Sequence, residues 1–505
     1  MKRSLNRVSH LVCAFIIMAG ALAHATNFEL LANSAMNEDR PTAETSKLLK
    51  DELLFQRATQ AYLWAMPLLN TMGMKTGSEK VFGAGYNVLP IWKERLNAQT
   101  LVTTPNSDVL YAMSCVNLGT DGPLVLDAPP MLQSILLDFW QRPIPGPTIR
   151  GRNFLGDIGF FGPDKGQGGK FLLLPPGYTG KAPDGYYIYR PATNNVFIFL
   201  RAFYQDPNDL KPAVDLLEKT KIYPLNNEAN ARKMQFPNAS LVPANMLPAS
   251  DFQAFLQLKW LVDSEHDGLG DPDWLGMLAS IGIERGRPFN PDVRTIAILD
   301  LAAKTAYKMS RVIGLQETDV NGVSYRVFPD RQWCNPSASG NPFDLNWLKT
   351  NTAYRAMDAR INFFTNYYSC SPGMISQVPG LGANYMIANR DGDGDFLTGA
   401  NQYSLKLPAN VPAKNFWSVA LYDAANSSGL DNGQPFPSLG SRDKPVVNSD
   451  GSIDLYFGPT PPKGKEANWL RTVPGKGFFV ILRLYGPTEA SFDNSWKPGD
   501  LVKAK

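Results

Sequence analysis

The stretch Leu124-Val125-Leu126-Asp127-Ala128-Pro129-Pro130-Met131-Leu132-Gln133-Ser134-Ile135-Leu136-Leu137-Asp138-Phe139 decides the fold class. Two short apolar runs flank a Pro-Pro break, and each is too short for a helix. The same rhythm returns at Phe171–Leu174, Tyr186–Tyr189 and Val196–Leu200, with Gly, Pro, Asp and Asn between the runs. Close spacing of this kind predicts antiparallel sheets folded as a sandwich or jelly roll. It resumes at Tyr385–Ala388, Tyr403–Leu407, Phe416–Tyr422, Ile453–Phe457 and Phe478–Tyr485. Between the two β-rich stretches the period lengthens. Val293, Ile296, Leu299, Ala303 and Ala306 form a helical stripe opened by Asn290-Pro291-Asp292 and closed near Gly314. Leu49, Leu53, Ala58, Ala61, Tyr62 and Ala65 form another, with Pro67 ending or kinking it. Further helices are expected near Ile91–Leu96 and over Thr352–Tyr367. The prediction is an α+β protein: two antiparallel β-rich domains with a helical segment between them. The expected divisions are a loosely ordered arm at 26–48, a first β-rich domain with a leading helix at 49–205, a helical connection at 206–375 and a second β-rich domain at 376–505. No sequence repeat of fixed period links the two β-rich stretches.

Residues 1–25 read as an export signal. Lys2, Arg3 and Arg7 precede the apolar run Leu11–Ala23, and Ala23-His24-Ala25 is a small-x-small cleavage pattern. The mature chain is then expected in the periplasm or outside the cell. Removing those three basic residues lowers Lys+Arg from 49 to 46, against 46 acids. A balanced chain lacks the basic footprint of a nucleic-acid binder. No second apolar stretch is long enough to span a membrane.

Of three histidines, only His266 lies beyond residue 25. A multi-histidine metal site is impossible in one chain, and any Ser-His-Asp arrangement would need His266. It sits in the polar run Asp263–Asp267 and reads as a solvated loop residue. Cys115, Cys334 and Cys370 remain after Cys13 leaves; they read as a Cys334–Cys370 disulfide plus a free thiol, or as three separate buried residues. Gly162–Lys170 is glycine-rich, but Phe171 replaces the Ser/Thr of a phosphate loop, so a hairpin or surface loop is expected.

Chemistry is therefore sought among oxygen-bearing and aromatic side chains. In Thr103–Tyr111, Asn106, Asp108 and Tyr111 lie near one another at the start of a strand. They would bind a polar ligand or staple a loop to the core. Asp108, in the cluster with Asn106 and Tyr111, and Asp423, beside Tyr422, are the candidate pair for general acid–base work without histidine. Trp417 is a candidate ligand contact. Arg483, between Leu482 and Leu484, is an edge charge, a partner for a buried acid or a ligand contact. Asp391, Asp393 and Asp395 have the oxygen density of a calcium loop, but Ala400 stands where the bidentate acid belongs. A plain turn is the alternative, and no other cofactor is implied.

Several longer motifs carry a resemblance. Ala61–Pro67, Thr104-Pro105-Asn106-Ser107-Asp108 with Tyr111, and Gly162–Gly177 resemble domain-of-unknown-function family 1254. Asn415–Asp423, Asp450-Gly451-Ser452, Asn468-Trp469-Leu470 and Leu482–Pro487 resemble family 1214. The resemblance implies an exported bacterial protein with two β-rich domains and helices between them. It implies no agreed activity and no catalytic residues. Three functional readings follow: a histidine-independent hydrolase acting on a small neutral or oligomeric substrate between the β domains, a non-catalytic periplasmic ligand-binding or envelope-associated protein, and a structural module.

Overall fold

The computed structural model describes residues 28–318, 324–335, 348–349, 354–375 and 378–504. The signal-like segment lies outside the described residues. The fold is α+β, with two sandwiches flanking a helical layer.

The first sandwich uses eight ladder strands: β1 (Leu110–Asn117), β2 (Leu124–Ala128), β3 (Gln133–Asp138), β4 (Asp157–Ile158), β5 (Gly169–Leu173), β6 (Tyr187–Tyr189), β7 (Asn195–Ala202) and β8 (Lys221–Pro224). One sheet has the order β1-β7-β3-β4 and the other β6-β5-β2-β8. The second sandwich comprises β9 (Ala383–Ala388), β10 (Tyr403–Leu407), β11 (Ala413–Asp423), β12 (Ser438–Gly440), β13 (Ile453–Gly458), β14 (Trp469–Arg471), β15 (Phe478–Pro487) and β16 (Val502–Lys503). Its sheets are β9-β15-β11-β12 and β14-β13-β10-β16.

Adding eight to each label converts the first arrangement into the second. The pairing directions agree as well: β5–β6 and β13–β14 are parallel, and every other ladder is antiparallel. The chain thus contains a topological repeat that no fixed period in the sequence reveals. It also extends the first sandwich past the expected boundary at 205, through β8.

Strand alternation explains how each sandwich meets the helices. On β7, Val196, Ile198 and Leu200 enter the sandwich interior, while Phe197 and Phe199 face the central layer. On β15, Val480, Leu482 and Leu484 enter the interior, while Phe479, Ile481 and Tyr485 face the centre. Both faces are buried, so these strands are apolar throughout. The central layer contains helices Ala43–Trp64, Met66–Phe82, Gln253–Leu269, Val293–Gly314 and Met357–Asn366.

Pro67 divides the first two helices, occupying the opening turn of the second. Asp292 caps helix Val293–Gly314 by accepting the Thr295 amide, so the helix starts two positions later than the Pro-first expectation. The expected helix near 91–96 does not form, because Ile91 is held in isolated bridges to Ala112 and Asn238. His266 belongs to helix Gln253–Leu269 rather than to a loop. Cys115, Cys334 and Cys370 are all free thiols, so the disulfide alternative does not hold. Among the described residues no helix is long and apolar enough to cross a membrane.

Candidate functional site

A cavity of about 130 Å³ lies where the central faces of the two sandwiches meet helix Met357–Asn366 and the segment after it. The first sandwich contributes Tyr111 from β1 and Phe199 and Arg201 from β7; the second contributes Tyr385 from β9 and Ile481 and Arg483 from β15. All six follow from period-two alternation, since each occupies the centre-facing phase of its strand. Phe363, Tyr367, Tyr368, Ser369 and Cys370 close the helical side.

Two register facts organise the site. Arg201 lies directly opposite Tyr111 in the β7–β1 ladder. Arg483 lies directly opposite Tyr385 in the β15–β9 ladder. These are corresponding positions of the repeat, so each sandwich offers the cavity one cross-strand Tyr–Arg pair.

The Arg483 guanidinium is buried on a central strand, which is neither of the placements expected from burial alone. Its Nη2 donates to the Thr104 carbonyl at 3.3 Å, while its Nη1 is buried without an acceptor. Burial would lower its pKa, but the surrounding Tyr422, Tyr485 and Tyr385 hold it above the usual value, so the charge persists. The guanidinium stands 5.4 Å from both the Tyr385 and Tyr422 rings. Arg201 lies 5.4 Å over the Phe199 ring, and its Nε is also buried without an acceptor. Among the described residues no carboxylate lines the cavity or forms an ion pair with either arginine. Burial pushes the phenols of Tyr111 and Tyr367 well above their usual value and the Cys370 thiol up to about 12. These groups are therefore neutral, and the two arginines alone give the cavity its charge. The Tyr367 hydroxyl is a further buried group without a partner.

Aromatic packing fixes the walls. Tyr111 stacks on Phe199 with centroids 5.1 Å apart, and Tyr368 meets Phe199 edge-on at 5.6 Å. Two lining residues adopt left-handed backbone without being glycine: Thr104, with φ of 41°, and Ser369, with φ of 54°. Such conformations cost on the order of 1–3 kcal/mol each and persist only where their surroundings enforce them. The Thr104 amide donates to Ser427 and the Ser369 amide to Gln141 Oε1.

Asn106 and Tyr111 thus line the cavity with Arg483, and the Thr104–Asp108 segment also staples the two sandwiches together. Tyr422 Oη donates to the Pro105 carbonyl at 2.6 Å, and Asn106 Nδ2 donates to Tyr485 Oη. Asn106 Oδ1 accepts the Asp108 amide at 2.8 Å. The two readings of this segment, ligand contact and staple, are therefore compatible.

Other expected site residues lie elsewhere. Asp108 faces Arg95 at 3.3 Å and accepts from Ser438 Oγ at 3.4 Å, outside the cavity lining. Asp423 pairs with Lys476 at 2.6 Å and accepts the Ala425 amide, capping the turn after β11. Trp417 points into the interior of the second sandwich; its neighbour Phe416 takes the centre-facing phase and stacks on Tyr485 at 4.1 Å. Asp391 accepts the amides of Asp393 and Asp395 at 3.1 and 3.0 Å, and Asp393 and Asp395 are exposed. Asp391 thus caps this turn, and among the described residues no three His, Cys, Asp or Glu side chains gather into a metal-binding group. The Gly162–Lys170 loop is likewise a turn, held by Asp164, which accepts the Gly159 and Gly168 amides at 2.8 and 3.1 Å.

Arg201, Tyr367, Tyr368 and Tyr385 were missing from the expected site. The run Phe197-Ile198-Phe199-Leu200-Arg201 carries the signal for Arg201: its alternation puts the charge on the same face as two aromatics.

Residues 86–224 match a family model described as a protein of unknown function (DUF1254), and residues 382–489 match a second so described (DUF1214). The two matches fall in that order along the chain. No curated protein matches it. Among solved structures, the VPA0106 protein from Vibrio parahaemolyticus is similar at 17% identity and a TM-score of 0.51, over 90% of this chain and 100% of that one. The likeness extends the fold to that protein. An uncharacterized protein from Burkholderia cenocepacia aligns over 91% of this chain and 97% of its own at 12% identity, with a TM-score of 0.35.

Proposed function

We propose that the protein binds a small organic anion, a carboxylate on an apolar body, in the cavity between the sandwiches. One observation carries the reading: Arg483 is buried with Nη1 unpartnered, and no acid among the described residues lines the space before it. A buried charge without a counter-charge is costly, and an incoming carboxylate supplies one together with strong, charge-assisted hydrogen bonds. The tyrosine and phenylalanine walls suit the apolar body. The size agrees, since an apolar cavity of about 150 Å³ admits a benzene ring.

Asp108 and Asp423 are engaged in ion pairs away from the cavity, which favours ligand binding over carboxylate-driven hydrolysis. The charge of the lining also favours an anionic ligand over the small neutral substrate of the hydrolase reading. The basic, apolar and small-residue order of residues 1–25 supports export, and a native N-terminus at Thr26 would test that part.

Thermal unfolding with benzoate and hexanoate, against benzamide and hexanamide at matched ionic strength, tests the binding reading. A bound ligand stabilises the folded state by about 2.7 kcal/mol at a hundredfold excess over Kd, and so raises the melting temperature with concentration. The carboxylates should stabilise the wild type but not Arg483→Met. Stabilisation by the amides alone, or equal stabilisation of Arg483→Met, would overturn the proposal.

A further inference from the structure

The repeat puts a constraint on the ligand that a single arginine would not. We infer that the cavity takes a molecule with two anionic groups, a dicarboxylate with an apolar spacer, each end meeting one Tyr–Arg pair. This inference rests on the anionic-ligand reading above and narrows it.

The argument begins with register. Tyr111–Arg201 and Tyr385–Arg483 are each directly opposed across the ladder that joins the first and seventh strands of a sandwich. The two sandwiches share strand order and pairing direction, so the two pairs are corresponding features of the repeat. Both pairs line one cavity. Each supplies a guanidinium and a phenol, which together form a carboxylate receptor. Each arginine retains one buried, unpartnered nitrogen: Nε of Arg201 and Nη1 of Arg483.

Charge balance points the same way. Two cations face the cavity, and no carboxylate among its described lining residues opposes them. Asp157, which Arg201 influences electrostatically, is not among the lining residues, and its carboxylate accepts from Ser371 Oγ at 2.7 Å and the Gly373 amide at 2.8 Å. A monoanion would leave one guanidinium uncompensated, whereas a dianion neutralises both. The apolar part of the lining, Phe199, Ile481, Phe363 and Met374, suits methylene or aromatic carbons.

Isothermal titration of the mature full-length chain decides the matter. Straight dicarboxylates from succinate to suberate are compared with monocarboxylates from butyrate to octanoate, at constant ionic strength. The best dicarboxylate should bind at least about tenfold tighter than the monocarboxylate of equal length, a difference of about 1.4 kcal/mol. Arg201→Met should reduce dicarboxylate affinity to the monocarboxylate level. Arg201→Gln, checked for native circular dichroism, serves if the methionine variant does not fold. Monocarboxylates binding as tightly as dicarboxylates, or a dicarboxylate preference that survives loss of Arg201, would overturn the inference while leaving the anionic-ligand reading intact. Binding by neither series would bring down both.

Discussion

The two sandwiches share a strand order and a ladder register but not their side chains. Arg201 and Arg483 occupy corresponding positions, yet their surroundings differ. Tyr422, on the strand beside Arg483, corresponds to Leu137 beside Arg201 by register. Tyr485, two residues after Arg483, corresponds to Phe203, which is 40% exposed. The second sandwich thus surrounds its buried arginine with the hydroxyls of Tyr385, Tyr422 and Tyr485, while in the first only Tyr111 plays that part for Arg201, which is half-buried. A backbone topology asks only for alternating burial, and unlike residues meet that demand. The polar shell is a separate property of each half. Arg483 reads as the fixed anchor, and Arg201 as the more adjustable side.

The first sandwich also depends on a clamp that has no counterpart in the second among the described residues. Glu265, at the kink in helix Gln253–Leu269, accepts the Asn194 and Asn195 amides at 2.6 Å each, as well as Asn195 Nδ2. It fixes the chain where it enters β7, the strand bearing Arg201. Glu265→Ala would leave buried donors unsatisfied and should cost about 3–5 kcal/mol in urea unfolding. Hydrogen exchange should accelerate in β7 before β15. Equal acceleration in both strands would mean that the halves do not differ in this way.

Much of this architecture is readable in the sequence, because a buried strand must be apolar and a turn needs Gly, Pro, Asn or Asp. The strands around Leu124, Ile135, Val196, Val419 and Val480 follow from that. The repeat is hidden because its loops differ in length and its paired positions agree in facing rather than in identity. Arg483 stood out as a charge between leucines. Arg201 did not, since an arginine closing an apolar run looks like a strand end reaching water. Trp417 was misplaced by one step of alternation, with Phe416 taking the central face. Tyr367 and Tyr368 follow a helix end, where no period says which way a side chain points. Asp108 and Asp423 show that an acid in a polar or aromatic motif is as readily a cap or an ion-pair partner as a catalyst.

A pH experiment probes the seam between the first sandwich and the cavity. Burial raises the Asp157 carboxyl from 3.8 to about 6, despite its bonds from Ser371 and Gly373. The folded chain therefore holds this proton more tightly than the unfolded chain does. The resulting stability is complete below the unfolded value and is lost as pH rises through about 6, amounting to at most about 3 kcal/mol. Asp157→Asn stays neutral at every pH. Its stability should fall less than the wild type's between about pH 4 and pH 7.5, by roughly 2 kcal/mol in denaturant titrations. Parallel pH profiles for the two proteins would refute this.

The staple between the halves is the next test. Asn106→Ala removes the bond to Tyr485 Oη and the cap on the Asp108 amide. A loss of about 2 kcal/mol is expected. Tyr485→Phe removes one of the same bonds, so the double variant should lose less than the sum of the two single variants. Strict additivity would mean that the contact does not join the sandwiches energetically.

The smallest effect gives the sharpest comparison. Asp138 and Asp423 end β3 and β11 at corresponding positions, as the registers Val196↔Asp138 and Phe478↔Asp423 place them. Each caps the turn that follows: Asp138 accepts the Arg142 amide and Asp423 the Ala425 amide, both at 2.9 Å. Each also holds a cation at the rim, Arg142 for Asp138 and Lys476 for Asp423. If both are turn caps, Asp138→Ala and Asp423→Ala should each cost about 1–2 kcal/mol and leave carboxylate affinity unchanged. The repeat makes each variant the control for the other. A loss of ligand binding in Asp423→Ala alone would show that Asp423 acts on the ligand, and would return the second sandwich to the hydrolase reading that its position in the turn argues against.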